Sequence, residues 1–409
     1  MAEKETKKEK TYFEDITDKV GEIAIHYGFT VIKPPQINND DLHKSKQFKD
    51  FDYYDDVLEK IALTRWYTEE RLDQEAQPIA IHYKKPFTGV LIKKKTNIET
   101  YGFEIMGSLK ATSEALLLKC AVAVLEECGY TNLFIDINSV GDKESIGKFE
   151  RELSNHFRKQ ASTIPARIRQ EFKKNYHLML LDTRDETKDF RKNIPQPIDY
   201  LSENSRLHFK EVLECVEAFG VAYKIKPSVL SNKLYASNTV FEIRKLKESL
   251  ADKSDTLLTA SDDGELLACG YRYNHLAKKI GGKREIPTTG VTIFIRKNPD
   301  MLKKVKIKNI RKPKFYLVQL GSVAKIKALH VVEILRKQKI PIYHSITKDK
   351  ITGQLSGAEY MKASHVLIIG QKEALENTVV VRNITNREQE TVSLNELCGF
   401  LKKINKTKK

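Results

Sequence analysis

Strand-like segments follow one another, without an intervening helix, from residue 221 to residue 297. They are VAYKIKPSV, NTVFEI, ELLACGYRY and TTGVTIFIRK, all rich in β-branched or aromatic residues. Helical patterns are set apart from them, in the amphipathic segment TSEALLLKCAVAVLEECGY and in the charged stretch 144–220. This separation predicts an α+β fold in which an antiparallel sheet is flanked by helices and interrupted by a helical insertion.

A different pattern follows residue 314, where strands and helices alternate. The segments are KFYLVQLG, AKIKALHVVEILRKQK, IPIYHS, GAEYMKAS, HVLIIG, TVVVR and SLNELCGFLKKI. Alternation of this kind predicts a small α/β domain with parallel pairing. We therefore expect a core at 1–300 with its helical insertion at 144–225, a basic linker at 301–314, and an α/β domain at 315–409.

Positive charge is concentrated near the expected linker. The chain carries a formal net charge of +16, and a run of basic residues has no acidic residue within it. That run consists of Lys303, Lys304, Lys306, Lys308, Arg311, Lys312 and Lys314. Because clustered cations favour polyanions, we predict an RNA partner, the alternative being a merely solvated lysine-rich surface.

The remaining composition excludes several classes of protein. The five cysteines are scattered and form no CxxC pair, which argues against a zinc site and against a disulfide framework. We expect no metal site and reduced thiols in a cytoplasmic protein. No apolar run is long enough to span a bilayer, and the charged N-terminus does not have the pattern of a signal peptide.

Taken in order, these segments resemble the class II histidyl-tRNA synthetases. GFTVIKPPQINNDDLHKS resembles the first motif of the class, YGFEIMGS the strand after its second motif, and LLACGYRYNHLAKKIGG the family's GGRYDGL signature. The segments after residue 314 resemble its anticodon-binding domain. The resemblance implies a class II synthetase-like sheet, a homodimer, tRNA as partner, and a reaction that uses ATP and Mg to join histidine to AMP and then to tRNA.

The residues that this chemistry would need are largely replaced. Developing negative charge is best stabilised by arginine forks, yet IAIHYKKPFTGVLIKKKTNIETYGFEI, which matches the second motif, contains no arginine. Trp66 stands where the resemblance places a substrate-binding glutamate. The candidates for ATP or phosphate contacts are Lys84, Lys93, Lys94, Lys95, Arg296 and Lys297.

The stretch VLSNKLYASNTVFEI keeps the residues of a family strand but lacks the charged residues that precede this strand in the family. Ser231 matches the catalytic arginine of the family and Leu234 matches an aspartate, so no catalytic residue is assigned. Four residues still match the family's histidine pocket: Glu104, Tyr235, Arg272 and Tyr273. Each has a structural alternative, since a lone Glu is often ion-paired and a Tyr often simply packs.

Three functions remain open from the sequence. The first is a synthetase-like protein without histidine-activating activity that binds tRNA or another RNA. The second is an active, divergent histidine–tRNA ligase in which lysines replace the arginines. The third is a regulatory subunit like that of ATP phosphoribosyltransferase, which would sense histidine.

Overall fold

The computed structural model describes residues 18–51, 53–54, 56–85, 97–218, 220–246, 264–296 and 314–406. The linker expected at 301–314 lies outside them except for Lys314, as do Lys93, Lys94, Lys95 and Lys297. In the described part of the chain, no helix combines the length and the apolar character needed to cross a membrane.

Within the described ranges, eight strands form one large sheet in the order β1-β2-β3-β8-β7-β6-β4-β5. The strands are β1 Thr30–Val31, β2 Ile79–Lys84, β3 Ile98–Met106, β4 Leu133–Ser139, β5 Ala222–Ile225, β6 Ser237–Lys245, β7 Glu265–Arg272 and β8 Thr288–Arg296. Among the strands of this sheet that the structure describes, only the outermost pairs, β1 with β2 and β4 with β5, are parallel. The predicted antiparallel-rich sheet is therefore confirmed.

Helices cover both faces of this sheet. They are α1 Lys19–His26, α2 Asn39–Ser45, α3 Val57–Glu69, α4 Ala111–Glu127, α5 Lys143–Gln160, α6 Ala166–Lys174, α7 Leu178–Leu181, α8 Glu203–Ala218 and α9 Leu276–Lys279. Helix α4 consists largely of Ala, Leu and Val and is almost entirely buried, because the sheet lies on one side of it and α8 on another. Helix α3 belongs to the opposite face, which carries the candidate site.

A second sheet of five strands follows, in the order β10-β9-β11-β12-β13. Its elements are β9 Phe315–Gln319, α10 Ser322–Lys337, β10 Ile342–His344, α11 Ile351–Tyr360, β11 His365–Ile369, α12 Gln371–Glu376, β12 Thr378–Asn383, β13 Gln389–Ser393 and α13 Leu394–Lys406. The expectation of parallel pairing holds only for β10, β9 and β11, because β12 and β13 are antiparallel. The connection from β11 to β12 is shorter than the dozen or so residues that a parallel crossover requires.

Charged contacts join this C-terminal domain to the core. The Tyr27 hydroxyl donates a hydrogen bond to Glu333 of α10, and Arg336 holds Glu333 through Nε at 2.8 Å. Arg336 also reaches Glu127 of α4, with 3.0 Å between Nη1 and Oε1. Burial opposes ionisation of Glu333, but the hydrogen bonds from Arg336 and Tyr27 outweigh it and lower the pKa of that carboxyl to about 2. We call this group the seam cluster.

Replacing Arg336 by Met should loosen the seam between the two domains. Glu333 would keep its charge and lose its strongest partner, which we expect to cost about 1.5–3 kcal/mol. Hydrogen exchange in α1 and α10 should accelerate. Lys327→Met, on the same helix but in an exposed contact with Asn377, is the matched control. Equal exchange rates in the two variants would contradict the structural role of Arg336.

Candidate functional site

The candidate site lies on the face of the large sheet that is opposite α4. Successive side chains of a strand alternate between the two faces, so Tyr271 and Tyr273 point to this face and Arg272 to the other. In the pairing register, Glu104 of β3 is opposite Gly290 of β8, which is in turn opposite Tyr271 of β7. The side chains of β3 and β7 therefore meet beneath α3, across the glycine of β8 that lies between them.

Lys60 and Glu104 form a buried ion pair at the centre of this face. The Lys60 ammonium contacts the Glu104 carboxylate, and both side chains are 1% exposed or less. The hydroxyls of Tyr273 and Tyr83 donate hydrogen bonds to the same carboxylate, at 2.8 and 3.2 Å. Gly290 makes room for Glu104, because a Cβ at that position would collide with the carboxylate.

Aromatic rings enclose the ion pair. The Lys60 Nζ lies 5.2 Å from the Tyr273 ring centroid and 5.8 Å from that of Tyr271, within cation–π range. The Tyr271 hydroxyl donates a hydrogen bond of 2.7 Å to Asp56, and it lies 3.3 Å from the hydroxyl of Tyr235. The space beneath α3 is thus occupied by the protein's own side chains.

The carboxylates around Lys60 keep its ammonium group protonated. Burial alone would lower the pKa of Lys60, but Glu104, Asp56 and Glu59 outweigh burial and hold that pKa above its ordinary value. Burial raises the pKa of Glu104, and Lys60 and Tyr273 oppose the rise. A lysine faced by three carboxylates retains its proton at neutral pH, so we describe the centre as an ion pair.

Arg272 does not share this pocket with Glu104, Tyr235 and Tyr273. Its side chain is fully buried on the α4 side, where Nε donates to Glu114 at 2.7 Å and Nη1 donates to the Ser108 carbonyl at 2.7 Å. His208 contacts the same Glu114 carboxylate, with Nε2 at 2.8 Å. The side chain of Arg272 therefore holds α4 against the sheet.

The segment that precedes β6 closes one side of the cluster. Ser231 and Asn232 are buried, and Asn232 Nδ2 donates to the Phe48 carbonyl at 3.3 Å. Asn232 Oδ1 accepts from the backbone N–H of Leu234 at 3.0 Å and shapes a turn. The Tyr235 ring then packs edge-on against Phe48, with 5.1 Å between centroids. The polar residues of this stretch thus stabilise a turn.

The candidate phosphate contacts that the structure describes, Lys84 and Arg296, are the last residues of β2 and β8. Lys84 pairs with Glu99, with 2.6 Å between Nζ and Oε1, and Arg296 Nη2 lies 3.3 Å from Glu265. The other four candidates lie outside the described residues. Both described cations thus have a carboxylate partner within the chain.

Sequence reasoning missed Lys60 of α3 and Asp56, the residue directly before α3, which complete the cluster. They lie four residues apart, a spacing that brings side chains together at a helix start, and this spacing inside DVLEKIALTRW was the available signal. Trp66 lies further along α3 and packs with Leu63 and Ile81 in a separate apolar cluster. The described residues contain no group of three or more His, Cys, Asp or Glu that could hold a metal ion.

The chain is similar in sequence and in fold to known histidine–tRNA ligases. Residues 314–404 match the model of the anticodon binding domain. A histidine–tRNA ligase of Fervidobacterium nodosum is 29% identical over 310 residues, or 75% of this chain and 69% of that protein. One from Clostridium perfringens is 24% identical and covers 95% of both chains. The apo Staphylococcus aureus histidyl-tRNA synthetase has a similar fold, with a TM-score of 0.50 and 21% identity over 94% of each chain.

Proposed function

This chain belongs to the class II histidyl-tRNA synthetase family, and from that premise we propose that it binds tRNA or another RNA without activating histidine. The observation that carries the proposal is the buried Lys60–Glu104 ion pair beneath α3. The resemblance places the histidine pocket at Glu104, Tyr235 and Tyr273, and these side chains are bonded to neighbours within the chain. A histidine would have to displace Lys60 to reach Glu104.

The carboxylates named below, all in described parts of the chain, do not offer ATP a site for its Mg²⁺. A magnesium site needs carboxylate oxygens that are free to bind the ion. Glu104 is held by Lys60, Asp56 by Tyr271, and Glu242 by Arg244 and Tyr54. The arginine forks that would stabilise a pentavalent phosphate are replaced by lysines in the second motif. We therefore derive no catalytic step through these groups.

RNA binding is supported by the anticodon-binding domain and by its basic corner. We use that name for four exposed lysines where the C-terminal ends of α10 and the closing helix α13 meet: Lys337, Lys339, Lys402 and Lys403. Lys402 Nζ donates to Gln338 at 2.7 Å, which joins the two helices there. The basic run at 303–314 directly precedes this domain in the sequence and would add further positive charge. The resemblance also supports a cytoplasmic homodimer as the working form.

The experiment combines pyrophosphate exchange with RNA binding. We expect histidine-dependent exchange to be more than about 1000-fold below that of an active synthetase, since losing one anion-stabilising donor alone costs roughly 100- to 1000-fold. Exchange at ordinary rates would favour the divergent ligase. Heat on titration with histidine, without exchange, would favour a histidine-sensing regulatory subunit.

Replacing the four lysines of the basic corner by Gln should weaken tRNA binding and flatten its salt dependence. Each phosphate contact contributes about −0.7 to −0.9 to the slope of log K against log salt, so the slope should fall by about 3. The measurement is a gel shift at several salt concentrations. Replacing Lys143, Lys148, Lys173 and Lys174 by Gln removes the same charge from the helical insertion and is the control. Equal losses in both variants would contradict a role for the basic corner.

A further inference from the structure

A groove of about 490 Å³ runs along one side of helix α8. Its floor is apolar and consists of residues from α8 and from the short helical turn before it: Ile198, Leu201, Phe209 and Leu213. His208 lies on the other side of α8, where it contacts Glu114 of α4, so the groove is not on the side that packs against α4. We call this feature the α8 groove, and none of the functions considered above uses it.

The charged residues on the rim of the α8 groove are sorted by sign along the helix. Arg206 and Lys210 lie in the N-terminal half, Glu214 and Glu217 lie in the C-terminal half, and all four are exposed. Lys210 Nζ lies 3.8 Å from Glu214, and Glu217 accepts a hydrogen bond of 2.7 Å from the Tyr223 hydroxyl. An ammonium group has three donors and a carboxylate about four acceptor positions, so each of these groups can make a further contact.

This order of charges is opposite to the one that stabilises a helix by itself. The helix dipole favours anions near the N-terminus and cations near the C-terminus. Glu203, the first residue of α8, agrees with that rule, whereas Arg206 near the start and Glu217 in the last turn do not. The helix dipole therefore does not explain why these charges line the groove, and a contact across the groove does.

We propose that the α8 groove is a self-association surface, in which α8 of one copy of the chain packs antiparallel against α8 of a second copy. A two-fold axis near Val212 places Arg206 opposite the partner's Glu217 and Lys210 opposite the partner's Glu214. The symmetry generates each of these contacts twice. The apolar floors of the two copies meet at the axis, where burial of apolar surface supplies the affinity, and the rim charges fix the orientation.

The spacing of the rim charges selects a second copy in this orientation. With a rise of 1.5 Å per residue, Arg206 and Glu217 lie about 16 Å apart along the helix, and Lys210 and Glu214 about 6 Å apart. Because both pairs are centred on the same point, an antiparallel helix brings both into register at once. A parallel pairing would place like charges opposite each other at both ends. The surface is thus complementary to itself, as a two-fold contact requires.

The test uses two charge-reversal variants of the full chain and their mixture, all without RNA, so the result does not depend on the proposed function. Variant A carries Arg206→Glu and Lys210→Glu, and variant B carries Glu214→Lys and Glu217→Lys. The rim of each variant has a single sign, so two copies of the same variant repel each other, whereas A and B together restore opposite charges at every contact. Native mass spectrometry counts the subunits and distinguishes A from B by mass.

We expect sedimentation to show that A alone and B alone associate at least about tenfold more weakly than the unmodified chain, and that their equimolar mixture recovers. The double variant Lys143→Glu with Lys173→Glu is the control, because it changes the net charge as much as variant A does, at exposed positions of the helical insertion. It should associate like the unmodified chain. If the chain also forms a dimer through another surface, the same losses and recovery occur between dimer and tetramer.

Mixed A–B assemblies, together with weak association of each variant alone, support the α8 groove as the contact. Three results overturn the proposal. An unmodified chain that shows no step of association lost in A and B has its dimer, if any, on another surface. A mixture that does not recover shows that the loss came from something other than charge pairing. A chain that stays monomeric leaves the groove to a helix of a different protein.

Discussion

Lys60→Met should destabilise the protein by about 3–5 kcal/mol, because it leaves the Glu104 carboxylate buried without its cation. Lys60 and Glu104 are 1% and 0% exposed, so water cannot replace the lost partner without opening the face beneath α3. The hydroxyls of Tyr273 and Tyr83 would remain as donors, and they offset only part of the loss. The free energy of unfolding in urea is the measurement.

The double variant Lys60→Met with Glu104→Gln distinguishes the cost of an uncompensated buried charge from the cost of altered packing. A neutral amide still accepts from Tyr273, so we expect it to recover most of the stability lost in Lys60→Met. Lys44→Met is the control, since Lys44 pairs with Asp40 at the same i,i+4 spacing that relates Asp56 to Lys60, but on the surface. That variant should cost about 0–1 kcal/mol. A Lys60→Met loss no larger than the control would show that Glu104 is not left uncompensated.

The antiparallel-rich sheet of the core was predictable from the sequence, and the pairing in the second domain was only partly so. Apolar and aromatic residues mark β6, β7 and β8, and the family resemblance is confirmed. Strand β13, which reads QETVS, is mostly exposed and polar, so its sequence gave no strand signal. It forms because a short turn places it beside β12, a constraint set by chain geometry.

For the candidate site, the sequence predicted the proximity of three side chains but not the face of the sheet to which the fourth points. Glu104, Tyr235 and Tyr273 do come together. The separation of Arg272 from Tyr273 follows from strand alternation, and reading the segment GYRY with period two would have predicted it. Strand alternation could not have identified Lys60. Its i,i+4 spacing from Asp56 was a local signal, but buried lysines are rare, and only tertiary contacts show that Lys60 pairs with Glu104.

Arg272 lies on the other face of the sheet, and Arg272→Met should destabilise the protein by as much as Lys60→Met. It leaves Glu114 buried at 0% exposure with only His208 as a charged partner, and we expect a loss of about 3–5 kcal/mol at neutral pH. Arg284→Met is the control, since Arg284 pairs with Asp73 but its side chain is 69% exposed. The control should lose about 0–1 kcal/mol.

The dependence on pH distinguishes the loss of this ion pair from a simple packing defect. Burial opposes ionisation of Glu114, but Arg272 and His208 outweigh it and lower the pKa of the carboxyl from 4.5 to about 2. Because the folded pKa lies below the unfolded one, Glu114 contributes stability that is complete above about pH 4.5 and is lost as pH falls towards 2. The contribution is on the order of 3 kcal/mol. The stability difference between the unmodified protein and Arg272→Met should therefore shrink over that range, whereas a packing defect would leave a difference independent of pH.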